Sequence, residues 1–169
     1  MKINVVEESI TTALLELMQK EEYKKITITD IVRKAGVSRV SYYRHFTTKE
    51  DVLIKYFDFV SKKFSDSVFD KITVKDWDYI ITEIFIVFRE NKLFIKSLKT
   101  AKLENLFLDY LTAQFESNYP ATKSNKYFMD FLAGACYNTT MCWLANDCKD
   151  PIETVAKPFY EIQKLFDSI

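Results

Sequence analysis

The sequence predicts an all-α protein, a three-helix head followed by a longer helical body. Three observations carry that reading. The 169 residues include two glycines and three prolines, too few for a turn-rich β-sandwich or barrel. Apolar side chains recur every three or four positions in one stretch after another. Several of those stretches open on a residue that caps helices. With 48% apolar and 28% charged residues, the composition is that of a folded chain with a core.

The elements follow in order. Asn4 with Glu7 makes a capping box, and Val6, Ile10, Ala13, Leu14 and Leu17 stripe a first helix to about Gln19. Tyr23 and Ile26 are expected to be buried in the connection. Thr27 with Asp30 opens a second helix, Ile28 to Ala35, on the apolar positions Ile28, Ile31, Val32 and Ala35. Gly36 ends it, because glycine tolerates positive φ. Ser38 caps a short third helix, Arg39 to His45, with Val37 and Tyr42 at the positions of a hydrophobic staple. Thr47 with Glu50, or Thr48 with Asp51, starts a fourth helix that runs to about Asp70 on Leu53, Tyr56, Phe57, Val60 and Phe64.

In the body, helices are expected at Trp77 to Glu90, Lys92 to Lys99 and Lys102 to Ser117, with a break at Pro120. Ser124 to Ala145 is apolar nearly all round, so it needs neighbours on both sides; the second is expected to be another protomer. Asp150-Pro151-Ile152-Glu153 combines an N-cap, proline at the first position and an acid at the third, and so starts a last helix. Pro158 is expected to kink or split it.

Charge narrows the function. The chain has 24 basic and 24 acidic residues. Between residues 24 and 49, however, Lys24, Lys25, Arg33, Lys34, Arg39, Arg44 and Lys49 face the single acid Asp30, a local charge of +6 that the remainder must offset. A basic segment in an otherwise acidic chain suits a polyanion. The apolar run Phe131 to Ala145 is interrupted by Asn138 and falls short of the ~20 residues of a membrane span. Glu7 and Glu8 precede any apolar run, so no signal peptide is expected. Cys136, Cys142 and Cys148 lack a CxxC pair, which argues against a disulfide framework or zinc site and for a reducing cytoplasm. One histidine and no glycine-rich phosphate loop leave no constellation for an enzyme, a metal or a cofactor.

The segment Ile31, Val32, Ala35, Gly36, Val37, Ser38 has the plan of a helix-turn-helix. Ala35 lets two helices approach, Gly36 turns the chain, and Val37 fills the junction. The second helix then presents a polar face to a major groove about 12 Å wide. Thr27-Ile28-Thr29-Asp30-Ile31, Gly36-Val37-Ser38-Arg39, Tyr43-Arg44-His45-Phe46 and Lys49-Glu50 together resemble the DNA-binding domain of the TetR/AcrR family of bacterial transcriptional regulators. The resemblance runs from about Ile10 to Leu53. Phe131-Leu132-Ala133-Gly134 leading to Trp143-Leu144, followed by the acid-proline start at Asp150-Pro151, resembles, more loosely, the family's last two helices.

That resemblance implies a DNA-binding domain over residues 1–50 and a regulatory and dimerisation domain over 51–169. It implies a double-stranded DNA operator as partner and a homodimer formed by the last two helices. Thr27 is then expected at a phosphate, with Ser38, Arg39, Val40 and Ser41 at the exposed start of the recognition helix. Arg39 is the candidate for a bidentate guanine contact. Tyr43, His45 and Lys49 are expected at phosphates and Arg44 at backbone or base, with Tyr42 and Phe46 in the core. Phe128, Phe131, Leu132, Ala135, Trp143, Val155, Phe159 and Phe166 are the dimerisation candidates. The chain departs from the family at Glu22, where glycine is usual and the turn is expected to differ, at Val40, which could read a thymine methyl, and at Tyr42, where leucine is usual.

Family members commonly bind a small molecule between the middle helices. Twenty-two of the aromatic residues follow Asp51. Trp77, Phe85, Phe88, Phe107, Tyr110 and Tyr137, with Asn138 as a polar contact, are candidates to hold a small apolar or aromatic effector; a chain of this length implies a small chamber. The expected function is a repressor released by that effector. The alternative is a DNA-bound regulator whose body docks a protein partner.

Overall fold

A computed structural model describes residues 4–68, 77–118 and 123–167. Among them are nine α-helices: α1 (Val5–Met18), α2 (Ile28–Ala35), α3 (Arg39–His45), α4 (Lys49–Val68), α5 (Trp77–Glu90), α6 (Lys92–Thr100), α7 (Glu104–Asn118), α8 (Lys123–Ala145) and α9 (Ile152–Asp167). No strand occurs among the described residues. The expected break at Pro120 lies outside them.

The head forms around α1, which touches α2, α3 and α4. Its start is a complete capping box: the Asn4 side chain accepts from the Val6 N–H at 3.0 Å, and the Glu7 carboxylate from the Asn4 N–H at 3.4 Å. Ile10, Leu14 and Met18, one helical face, are buried against Ile31, Tyr42, Phe46 and Leu53. Thr27 and Asp30 close a second capping box at α2. Gly36 then turns the chain with φ +67°. A Cβ there would meet nothing within 4 Å, so backbone conformation, not space, demands glycine. The Val37 N–H closes the last turn of α2 on the Val32 carbonyl at 3.0 Å.

Glu22 brings no strain: its φ is −61°, and a 3₁₀ turn over Tyr23–Lys25 carries the chain to α2 without a left-handed residue. The turn closes by the Lys25 N–H on the Glu22 carbonyl at 2.8 Å. Of the two openings offered for α4, Thr48 with Asp51 is the one formed, the Asp51 N–H donating to Thr48 Oγ1 at 3.1 Å.

In the body α7 packs along α8 and α5 along α9. Pro158 does not split α9. Both Pro158 and Thr154, the residue whose carbonyl it leaves without an N–H partner, are exposed, so water can satisfy that carbonyl. Glycine-like turns occur without glycine at Lys102 (φ 58°), Asp147 (φ 63°) and Cys148 (φ 57°). The Asp147 carboxylate accepts from Lys96 at 2.6 Å and Lys92 at 3.3 Å, which pins the α8–α9 turn to α6.

Candidate nucleic-acid interface

The sequence places three kinds of side chain on α2 and α3. Some build the turn. Ser38 caps α3, its hydroxyl accepting from the Ser41 N–H at 3.0 Å and donating to Ser41 Oγ at 3.2 Å. Tyr42 is fully buried, and its hydroxyl donates to the Thr48 carbonyl at 2.9 Å. Phe46 is buried beside it.

Others point outward. Val40 is 64% exposed and Tyr43 58%, three residues apart on the outer face of α3. Arg39 and Arg44 are exposed with them. The Arg39 guanidinium donates to Thr29 Oγ1 of α2. Thr29 thus stands on the same surface, a neighbour that spacing along α3 alone does not suggest.

A third group is engaged at home. The Thr27 hydroxyl donates to the Asp30 carboxylate at 2.5 Å and accepts from the Asp30 N–H at 3.2 Å. The first backbone N–H groups of α2 therefore become the better phosphate donors there. His45 Nδ1 lies 3.1 Å from Glu7 Oε1 of α1. A carboxylate only accepts, so Nδ1 is the donor to Glu7, and this contact ties the end of α3 to α1. Lys49 Nζ donates to the Tyr23 carbonyl at 2.6 Å and the Ile26 carbonyl at 2.8 Å, and sits 4.2 Å above the Tyr23 ring. It fastens the start of α4 to the segment before α2, with one N–H left over. Lys55, not anticipated, donates to the His45 carbonyl at 2.5 Å and lies 3.8 Å from Glu7.

Behind the head, α4 to α7 enclose an apolar chamber of about 120 Å³. Of the residues named for an effector site, Trp77, Phe88, Phe107 and Tyr110 line it, together with Phe57, Val60 and Phe94. Three candidates do not. Phe85 is fully buried, its ring 5.4 Å from Phe159 and 6.0 Å from Trp143, because it faces α8 and α9. Tyr137 touches Phe107 from behind, at 5.9 Å. Asn138 is exposed, and its amide donates to the Gly134 carbonyl at 2.9 Å.

The dimerisation candidates also divide. Leu132, Trp143, Val155 and Phe159 are buried inside the protomer, since α5 and α7 already cover them. Phe131 is 52% exposed, with Phe128 and Ala135 half-buried. Tyr127, 78% exposed, extends that face of α8. The Phe166 side chain lies outside those described.

A left-handed turn at Gly36 that sets the short, outward-facing α3 across α1 and α2 defines a helix-turn-helix DNA-binding regulator. Residues 10–56 match the tetR family of bacterial regulatory proteins, and residues 75–164 match a transcriptional regulator C-terminal region. The chain belongs to the tetR family, whose members are DNA-binding transcription factors and not enzymes.

Among relatives, YxbF of Bacillus subtilis, an HTH-type transcriptional regulator, is 38% identical over 47 residues, 27% of this chain and 12% of YxbF. DhaS of Lactococcus lactis, an HTH-type dhaKLM operon transcriptional activator, is 23% identical over 113 residues, 67% of this chain and 58% of DhaS. The solved structure of Lin0861 from Listeria innocua covers 98% of this chain and 95% of its own at 16% identity, with a TM-score of 0.76. That last likeness is one of fold. No helix among the described residues is long and apolar enough to cross a membrane.

Proposed function

We propose that the protein is a cytoplasmic homodimeric repressor that holds a double-stranded operator with two heads and leaves it when a small apolar or aromatic effector fills the chamber. One observation carries this reading: the chamber and the reading head share α4. Phe57 and Val60, midway along α4, wall the chamber, while Lys49, the first residue of the same helix, holds the head. The boundary between head and body then falls near residue 50, in the first turn of α4.

Two heads fixed by a dimer read half-sites about 34–36 Å apart. An effector that prefers a wrongly spaced conformer lowers DNA affinity by its differential affinity for the two states. A hundredfold release requires about 2.8 kcal/mol of such preference. The exposed α8 face of Tyr127 and Phe131, with Phe128 and Ala135, is the surface assigned to the second protomer. In the head, Arg39 and Val40 meet the groove, Tyr43 meets a phosphate, Arg44 reaches backbone or base, and the N–H groups after Thr27 meet a phosphate.

DhaS is by name a transcriptional activator, and activation is the sense of a second reading, in which the body docks a protein partner instead of a small molecule. Operator release assayed by fluorescence anisotropy with fractionated cell extract separates the two. Release by the small-molecule fraction supports the effector; a response confined to the macromolecular fraction overturns it.

A further inference from the structure

The chamber has a polar antechamber. A second cavity of about 260 Å³ is lined by Asp58, Ser61, Lys62, Ser65, Tyr110 and Gln114 with Phe64. Ser61, Phe64, Tyr110 and Gln114 line both cavities, so the two meet along a common wall from α4 to α7. Inward of that wall the chamber is almost wholly apolar. Its Asn91 is satisfied within the protein: Nδ2 donates to the Val87 carbonyl at 2.8 Å, and Oδ1 accepts from the Tyr56 hydroxyl at 2.8 Å.

Resting on the effector reading above, we propose that the effector is a small uncharged amphiphile: a compact apolar body among Phe57, Phe88 and Phe107, and a hydroxyl end at the Ser61–Tyr110 border. Size sets the body. A dry cavity of about 150 Å³ takes a benzene ring; the chamber's 120 Å³ alone is smaller, and with the adjoining antechamber it has room for one ring carrying a short substituent. Hydrogen bonding sets the end. Ser61 Oγ donates to Gln114 Oε1 at 2.9 Å, and the Tyr110 hydroxyl donates to Asp58 Oδ1 at 3.3 Å. The two hydroxyls also pair with each other, yet each oxygen keeps a lone pair, so a ligand that donates suits them. Burial pushes the Tyr110 hydroxyl up to about 12, so it remains a protonated donor to Asp58 at neutral pH. Charge balance excludes an ionic end. Among the described residues the antechamber is lined by one acid, Asp58, and one base, Lys62, so an ion drawn toward the apolar chamber would lose its hydration without a net counter-charge among them.

The test titrates the full chain with benzyl alcohol, toluene, benzylamine and benzoate, read by the fluorescence of Trp77 on the chamber wall, alongside operator affinity. Benzyl alcohol is expected to bind about tenfold more tightly than each of the other three. Ser61→Ala is expected to erase its advantage over toluene while leaving toluene binding unchanged. A charged congener equal to the alcohol, an alcohol preference that survives Ser61→Ala, or no response to any of the four overturns the proposal. Toluene binding as tightly as the alcohol and releasing DNA defeats the hydroxyl assignment and leaves effector release standing. Alcohol binding with no loss of operator affinity supports the ligand class and overturns release.

Discussion

The ring of Phe57 on α4 stacks on the ring of Tyr110 on α7, with centroids 4.6 Å apart and planes at 18°. Phe94 meets the same ring edge-on at 4.7 Å. The head-bearing helix thus touches the chamber through an aromatic plate, and an occupant must displace or brace it. Phe57→Leu keeps the core apolar at about 1 kcal/mol of stability. The variant is expected to bind effector, read at Trp77, while its effector-driven loss of operator affinity falls about tenfold. Undiminished release would remove Phe57 from the pathway.

Lys49 makes a second, separable prediction. A lysine that serves only a phosphate would leave the free protein's melting point alone when replaced. Here its ammonium holds two carbonyls of the segment before α2. Lys49→Met is expected to cost about 1–3 kcal/mol in denaturant unfolding without DNA. An unchanged midpoint would return Lys49 to the role of a simple phosphate anchor.

Acid should loosen the start of α4. The Asp51 carboxylate accepts from the N–H groups of Thr48 and Thr47, each at 2.9 Å, which holds it below the ordinary aspartate value of 3.8. A carboxyl more acidic when folded than when unfolded stabilises the fold above its unfolded value. That contribution fades as pH falls from the ordinary range through the folded value. Asp30, held down by the Thr27 hydroxyl and N–H, acts in the same sense. The melting temperature is expected to be level from neutrality to about pH 5 and to fall below it, less steeply in Asp51→Asn. Equal slopes for the two proteins would contradict the cap.

The α8 face can be tested by charge. Phe131→Glu is expected to dissociate a dimer in sedimentation and to speed alkylation of the exposed Cys142 on the same helix. Cys136, whose buried thiol is pushed up to about 12, is expected to react only on unfolding. A variant that stays dimeric moves the interface elsewhere.

Local rules made the head legible. Asn4 and Glu7, Thr27 and Asp30, and Gly36 each act within one turn, so spacing alone places α1, α2 and the bend. Glu7 with His45 and Lys49 with Tyr23 are 38 and 26 residues apart, and nothing in the chain announces such pairs. The body obeys another limit. Phe85 and Phe88 share one helical period, yet one fills the core and the other faces the chamber. Period 3.6 shows which face is buried but not whether protein, effector or a second copy covers it. Leu132 and Trp143 illustrate this: their own protomer covers them, while Tyr127 and Phe131 remain outside.

Selection of bound duplexes from a random pool, run with the wild type, Arg39→Ala and Tyr43→Phe, decides whether α3 reads bases from a paired scaffold. Two inverted half-sites about 34–36 Å apart are expected. Arg39→Ala should relax one base position by about 1–3 kcal/mol, and Tyr43→Phe should weaken all sequences alike. No enriched sequence with the wild type, or an unchanged preference in Arg39→Ala, would contradict base reading by α3.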